Sequence, residues 1–181
     1  MSVFELWLPV ALSGLATHIL STLAWMAFPH HKPEWKRLPV EDEFQDWLND
    51  QKVAPDQYLF PCSHDAYEKK SESVHRKSGN CQGTLILWKN PTNMGTAIGL
   101  TLAFFFVAAF VIGYLASLAL PAGAPFLRVL QFVTTAGLLT HCAGKFPGVF
   151  WFRRRVAMDL VDGVVYAIAT GLIFAALWPS V

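Results

Sequence analysis

Four long apolar runs order this chain, at residues 5–28, 94–119, 126–144 and 158–178, and most of the polar residues collect in one long segment and one short one between them. A helix rising 1.5 Å per residue needs about 20 apolar residues to cross a hydrocarbon core of about 30 Å. The second run clears that length easily, because residues 94–127 contain no Asp, Glu, Lys or Arg. The fourth just reaches it. The third completes a span only if Arg128 extends outward to the interface. The pattern therefore predicts an all-α membrane protein, a four-transmembrane-helix bundle. Helix 1 would occupy residues 1–28, and helices 2–4 would occupy residues 94–181 at 94–119, 126–144 and 158–178, with both chain ends on one face. The first run exceeds the apolar core of a signal peptide and ends without a small-residue cleavage pattern, so it is expected to stay as a helix.

Residues 29–93 are the one sizeable polar segment. Pro29, Pro33 and Pro39 are expected to stop helix 1 and hold the chain extended. An amphipathic helix should follow from Val40 to about Gln51, with Glu41, Asp42 and Glu43 in its first turn and Val40, Phe44, Trp47 and Leu48 on one buried face. Tyr58–Phe60 and Thr84–Trp88 read as strands, and residues 66–78 as a charged helix closed by Gly79. The expectation is a small α+β cap inserted between helices 1 and 2. The link at 145–157 should be an interfacial stretch broken at Pro147-Gly148, with Lys145, Trp151, Arg153, Arg154 and Arg155 at the lipid interface.

Charge then orients the chain. Of the 14 Lys and Arg residues, all but Arg128 fall on the side opposite the termini. By the positive-inside rule the termini lie outside and the loops 29–93 and 145–157 are cytosolic. A net charge of +1 gives no argument for a nucleic-acid partner. Cys62 and Cys81 would then face a reducing compartment as free thiols, whereas the opposite orientation would allow a Cys62–Cys81 disulfide. The spacing of Cys62, His64 and Cys81 matches no zinc pattern.

Small residues spaced by four predict close helix packing. Helix 4 carries Gly163, Ala167, Gly171 and Ala175, and helix 2 carries Gly95 and Gly99. Such ridges serve the bundle itself, or a membrane-protein partner or second copy.

Ionisable residues inside a span are the candidates for chemistry, because they are costly there. His18, His141 and Asp162 fall about 20, 22 and 24 Å from the outer ends of their helices, so they share one level. They could hold a transition metal, or the two histidines could ligate haem b. Asp159, Asp162 and Tyr166 could form a proton or ion path. The plainer reading has no cofactor, with each group hydrogen-bonded within the bundle. His30-His31, at the membrane edge, read as a solvated interfacial pair. No Walker loop, dinucleotide fingerprint, HExxH or GxSxG is present.

The stretch Phe28-Pro29-His30-His31-Lys32-Pro33-Glu34-Trp35-Lys36-Arg37-Leu38-Pro39-Val40-Glu41-Asp42-Glu43, with Tyr58-Leu59-Phe60-Pro61, Asn93-Met94-Gly95 and Asp162-Gly163, resembles a family of small bacterial integral membrane proteins of similar length. The resemblance implies bacterial origin and the four-span layout, and no substrate, cofactor or catalytic residue. The expected function is a non-catalytic accessory, assembly or scaffold protein of the inner membrane. The alternatives are a metal- or haem-binding redox protein using His18 and His141, and a small proton or ion transporter centred on Asp159 and Asp162.

Overall fold

The structure, a computed structural model, describes residues 2–60 and 82–180. The chain divides into two compact units, residues 1–36 with 93–181 and residues 37–92.

The first unit is the bundle. Helix α1 (Trp7–Thr22) is entered through a 3₁₀ turn, Val3–Leu6, capped by Ser2 and Glu5 as a reciprocal capping box. It leaves through a π turn, Leu23–Ala27, in which the Phe28 N–H reaches back to the Leu23 carbonyl. Helix α3 (Met94–Ala119) starts where the Asn93 side chain accepts the Thr96 N–H. Helix α4 (Phe126–His141) is followed by a short α5 (Phe146–Phe152), and helix α6 (Ala157–Ala176) closes the chain. Four segments are long and apolar enough to cross a membrane: Val3–Ala27, Met94–Ala119, Phe126–Phe152 and Ala157–Ala176. The chain is mostly helical, in keeping with a helical membrane bundle.

Two details of the third apolar segment differ from the sequence reading. Helix α4 ends at His141, short of residue 144, and the apolar segment then continues through α5 to Phe152. Pro147-Gly148 also does not break the chain into an irregular link. Pro147 sits in the first turn of α5, where a backbone N–H has no helical partner in any case, so the ring costs nothing. The helix stops instead at Arg153, which adopts a left-handed conformation at φ 50°.

The core lies toward the end of the bundle that carries both termini. Leu6, Ile112, Ala116, Leu120, Val129, Val133 and Phe174 are buried together there. Two hydrogen bonds tie the α3–α4 turn to the C-terminal residues at this end. The Gly123 N–H, at φ 71°, donates to the Pro179 carbonyl at 2.8 Å, and the Trp178 indole donates to Pro121 at 3.0 Å. Close approach along the helices depends on glycine. A methyl group at Gly14 would meet Phe106 at 2.8 Å, and one at Gly137 would meet the Cα and Cβ of Ala167 at 2.9 Å. Gly163, Ala167, Gly171 and Ala175 all lie in the buried face of α6. Gly95 and Gly99 are exposed on α3, and the space beside Gly99 is open.

The second unit holds helix α2 (Glu41–Asp50) and an antiparallel hairpin of β1 (Gln57–Phe60) and β2 (Gly83–Ile86), in register from Gln57 opposite Ile86 to Phe60 opposite Gly83. The amphipathic face expected on α2 forms, but none of its residues is buried, and Trp47 is 54% exposed. The helix expected at 66–78, together with Cys62, His64 and Cys81, lies outside the described residues.

Candidate metal centre

Two local features at the loop end of the bundle create the site. The π turn ends α1 at Ala27, and Pro29 then starts a 3₁₀ stretch, Pro29–Glu34, with its fixed φ already suited to the turn. In a 3₁₀ helix residues three apart are eclipsed. Glu34 therefore stands directly beside His31. Asp162, in the second turn of α6, faces both histidines.

The resulting chain of groups is short and closed. His31 Nδ1 donates to Glu34 Oε2 at 3.0 Å, and His31 Nε2 donates to Asp162 Oδ2 at 2.9 Å. His30 Nε2 donates to the other oxygen, Asp162 Oδ1, at 3.0 Å. His31 is 5% exposed and Asp162 8%, so the cluster is largely withdrawn from solvent. The Trp25 indole lies flat on the His31 ring, with centroids 3.9 Å apart and an interplanar angle of 8°. Glu34 has a second task. Its Oε1 accepts the N–H of Met158, one of the helix N-terminal donors that lack an intrahelical partner. A carboxylate there is also favoured by the helix dipole.

Both nitrogens of His31 face carboxylate oxygens, and only an imidazolium can donate to both. Burial alone would lower the His31 pKa, but the hydrogen bonds and charges of Asp162 and Glu34 outweigh it and raise the value. Burial would likewise raise the Glu34 pKa, while the bonds from His31 and the Met158 N–H outweigh it and lower the value.

Three ligand-capable atoms, one each from His30, His31 and Asp162, lie within 4.8 Å of one another. Two imidazoles and a carboxylate are a donor set for zinc or non-haem iron, with coordination positions left for a further ligand. The Glu34 contact is the outer-shell arrangement such sites use. A carboxylate on Nδ1–H fixes the tautomer that leaves Nε2 to bind the ion. The residues present therefore fit a metal, with His31 exchanging its Nε2 proton for the ion.

The other residues singled out in the sequence occupy different places. Asp162 stands with His30 and His31, and not with His18 and His141. His18 and His141 each pack against Phe105, at 6.3 and 6.1 Å between centroids, and His141 meets Tyr166 edge-on at 5.8 Å. Among the described residues, the buried His18 Nδ1 atom has no hydrogen-bond partner. Asp159 faces Lys145, whose Nζ lies 3.5 Å from the carboxylate and donates to the Asp159 carbonyl at 3.2 Å. A cavity of about 280 Å³ has His141, Lys145, Asp159, Asp162 and Tyr166 in its wall. Trp151 is 83% exposed, and Arg153–Arg155 are exposed beside it.

His30, His31 and Glu34 were missed as site residues because a histidine pair beside a proline at a membrane edge is ordinarily solvated. The available signal is the spacing itself, His31 and Glu34 three apart in a stretch that Pro29 opens and Pro33 interrupts. Comparison with protein-family models, with curated proteins and with solved structures finds no match for this chain.

Proposed function

We propose that this chain is a membrane protein that binds a divalent transition-metal ion at the loop end of its bundle, with His30, His31 and Asp162 as ligands and Glu34 orienting His31. The observation that carries the reading is the pairing of Asp162 with two imidazoles while a second carboxylate holds the far nitrogen of one of them. Glu34 on His31 Nδ1 leaves Nε2 to a metal, and Asp162 brings the Nε2 atoms of both imidazoles to one carboxylate. The metal alternative reached from the sequence is thereby kept in class but moved from His18 and His141 to His30 and His31. The haem form of that reading gains no support from Asp162.

The test is metal analysis of the full chain purified in mild detergent, before and after supplying Zn²⁺ or Fe²⁺ and removing the excess. One ion per chain is expected, lost in His30→Ala and in Asp162→Asn and kept in His141→Ala. A substoichiometric content that the three variants do not change would overturn it. The accessory or scaffold reading rests on the exposed Gly95 and Gly99 of α3, and it is the reading to which a metal-free result returns.

The proposed orientation puts the site on the cytosolic side of a bacterial inner membrane. It is supported by the basic residues that flank the spans on the loop side, Lys32, Lys36, Arg37, Lys89, Lys145 and Arg153–Arg155, against Arg128 alone on the other. Labelling of Cys62 and Cys81 by a membrane-impermeant maleimide should then require cell lysis. Labelling in intact cells would reverse the orientation.

A further inference from the structure

A second site lies on the same end of the bundle and uses none of the metal ligands. Trp25, Glu34, Trp35, Arg154, Arg155 and Asp159 line a cavity of about 420 Å³, within the size range of small-ligand sites. Its wall carries two arginines and two carboxylates, but both carboxylates are already engaged with groups outside it. Glu34 accepts from His31 and from the Met158 N–H, and Asp159 faces Lys145. The guanidinium groups are not. Arg155 spends one N–H on the Pro33 carbonyl at 2.9 Å. Arg154 makes no hydrogen bond or ion pair among the described residues. The unspent charge in the cavity is therefore positive, carried by planar donor forks whose geometry matches a phosphate oxygen pair.

The surroundings select the source of that phosphate. Arg154 and Arg155 stand between α5, with its exposed Phe150, Trp151 and Phe152, and the start of the α6 span. Trp25 and Trp35 are 50% and 72% exposed at the close of the first span. Indole rings and arginines together mark headgroup depth, and basic pockets between spans are where lipid phosphates dock. We infer that this cavity binds the phosphate ester of a membrane phospholipid, with Arg154 and Arg155 holding the phosphate between Trp25 and Trp35.

The experiment is native mass spectrometry of the delipidated full chain in detergent. It is titrated in parallel with phosphatidylglycerol, with diacylglycerol of the same chains, and with inorganic phosphate. A single phosphatidylglycerol adduct is expected, with none from diacylglycerol. Arg154→Gln with Arg155→Gln should weaken that adduct at least tenfold. Both side chains are exposed, so the variant should fold, and an unchanged thermal transition checks this. Arg128→Gln, at the opposite end of the bundle, should leave the adduct unchanged. An adduct of equal strength in the double variant would overturn the site. Equal or stronger binding of inorganic phosphate alone would overturn the lipid as its source.

Discussion

Replacing Gly163 by alanine tests how closely α4 and α6 meet beside the site. The new methyl group would lie 2.6 Å from Cys142 Sγ, 3.0 Å from the His141 carbonyl oxygen and 3.2 Å from its carbon. Ordinary contact begins near 3.4 Å, so the sulfur is about 0.8 Å too close. The thiol can rotate, but the His141 carbonyl is backbone at the end of α4 and can retreat only if the helix moves. Overpacking of this kind costs about 1–3 kcal/mol. Gly99→Ala supplies the reference. It sits in another helix with nothing within 4 Å of the added methyl. Each substitution removes one helical glycine, worth roughly 0.5–1 kcal/mol on its own. The difference between the two variants therefore isolates the packing clash, and Gly163→Ala should be the less stable by about 1–3 kcal/mol. Reversible unfolding in mixed detergent micelles, followed by circular dichroism, measures that difference. Equal stability of the two variants would refute the close approach of α4 and α6 at this level.

Other consequences are as direct. Thr134 Oγ1 is buried without a partner among the described residues, so Thr134→Val, which keeps the shape and removes the hydroxyl, should be neutral or stabilising by about 1 kcal/mol in the same assay. The salt cluster gives the metal-free protein a stability window. The raised His31 pKa adds stability that is complete below its ordinary value near 6.5 and fades as pH climbs through the raised value. The lowered Glu34 pKa adds stability that is complete above its ordinary value near 4.5 and fades as pH falls through the lowered one. Thermal scans against pH should therefore show a maximum between those two limits, flattened in His31→Gln. A monotonic profile would contradict the assignment.

The spans were legible because length and apolarity are local properties of the sequence. The 26 residues from Met94 to Ala119 can do little else in water or lipid. The α6 ridge was legible for the same reason, since spacing by four fixes a face without knowledge of the partner. The site was not. Depth along a helix axis placed His18, His141 and Asp162 at one level, but it says nothing about which groups face one another around the bundle. Asp162 is bonded to residues 131 and 132 positions away in sequence. That contact exists only because a π turn and a 3₁₀ turn fold the chain after α1 back against α6. Neither turn has a strong composition signal. Pro147 reads as a breaker by residue type alone, yet it stands in the first turn of α5, where proline is tolerated.

The central claim is tested most directly by titrating the purified, metal-free protein with Co²⁺ and recording its visible absorption, since the intensity and position of the bands report the donor set. The account predicts saturation at one ion per chain with bands typical of a low-coordinate nitrogen–oxygen site, abolished in Asp162→Asn and in His30→Ala and retained in His141→Ala. A spectrum indistinguishable from aqueous Co²⁺, or one that survives both ligand substitutions, would contradict it.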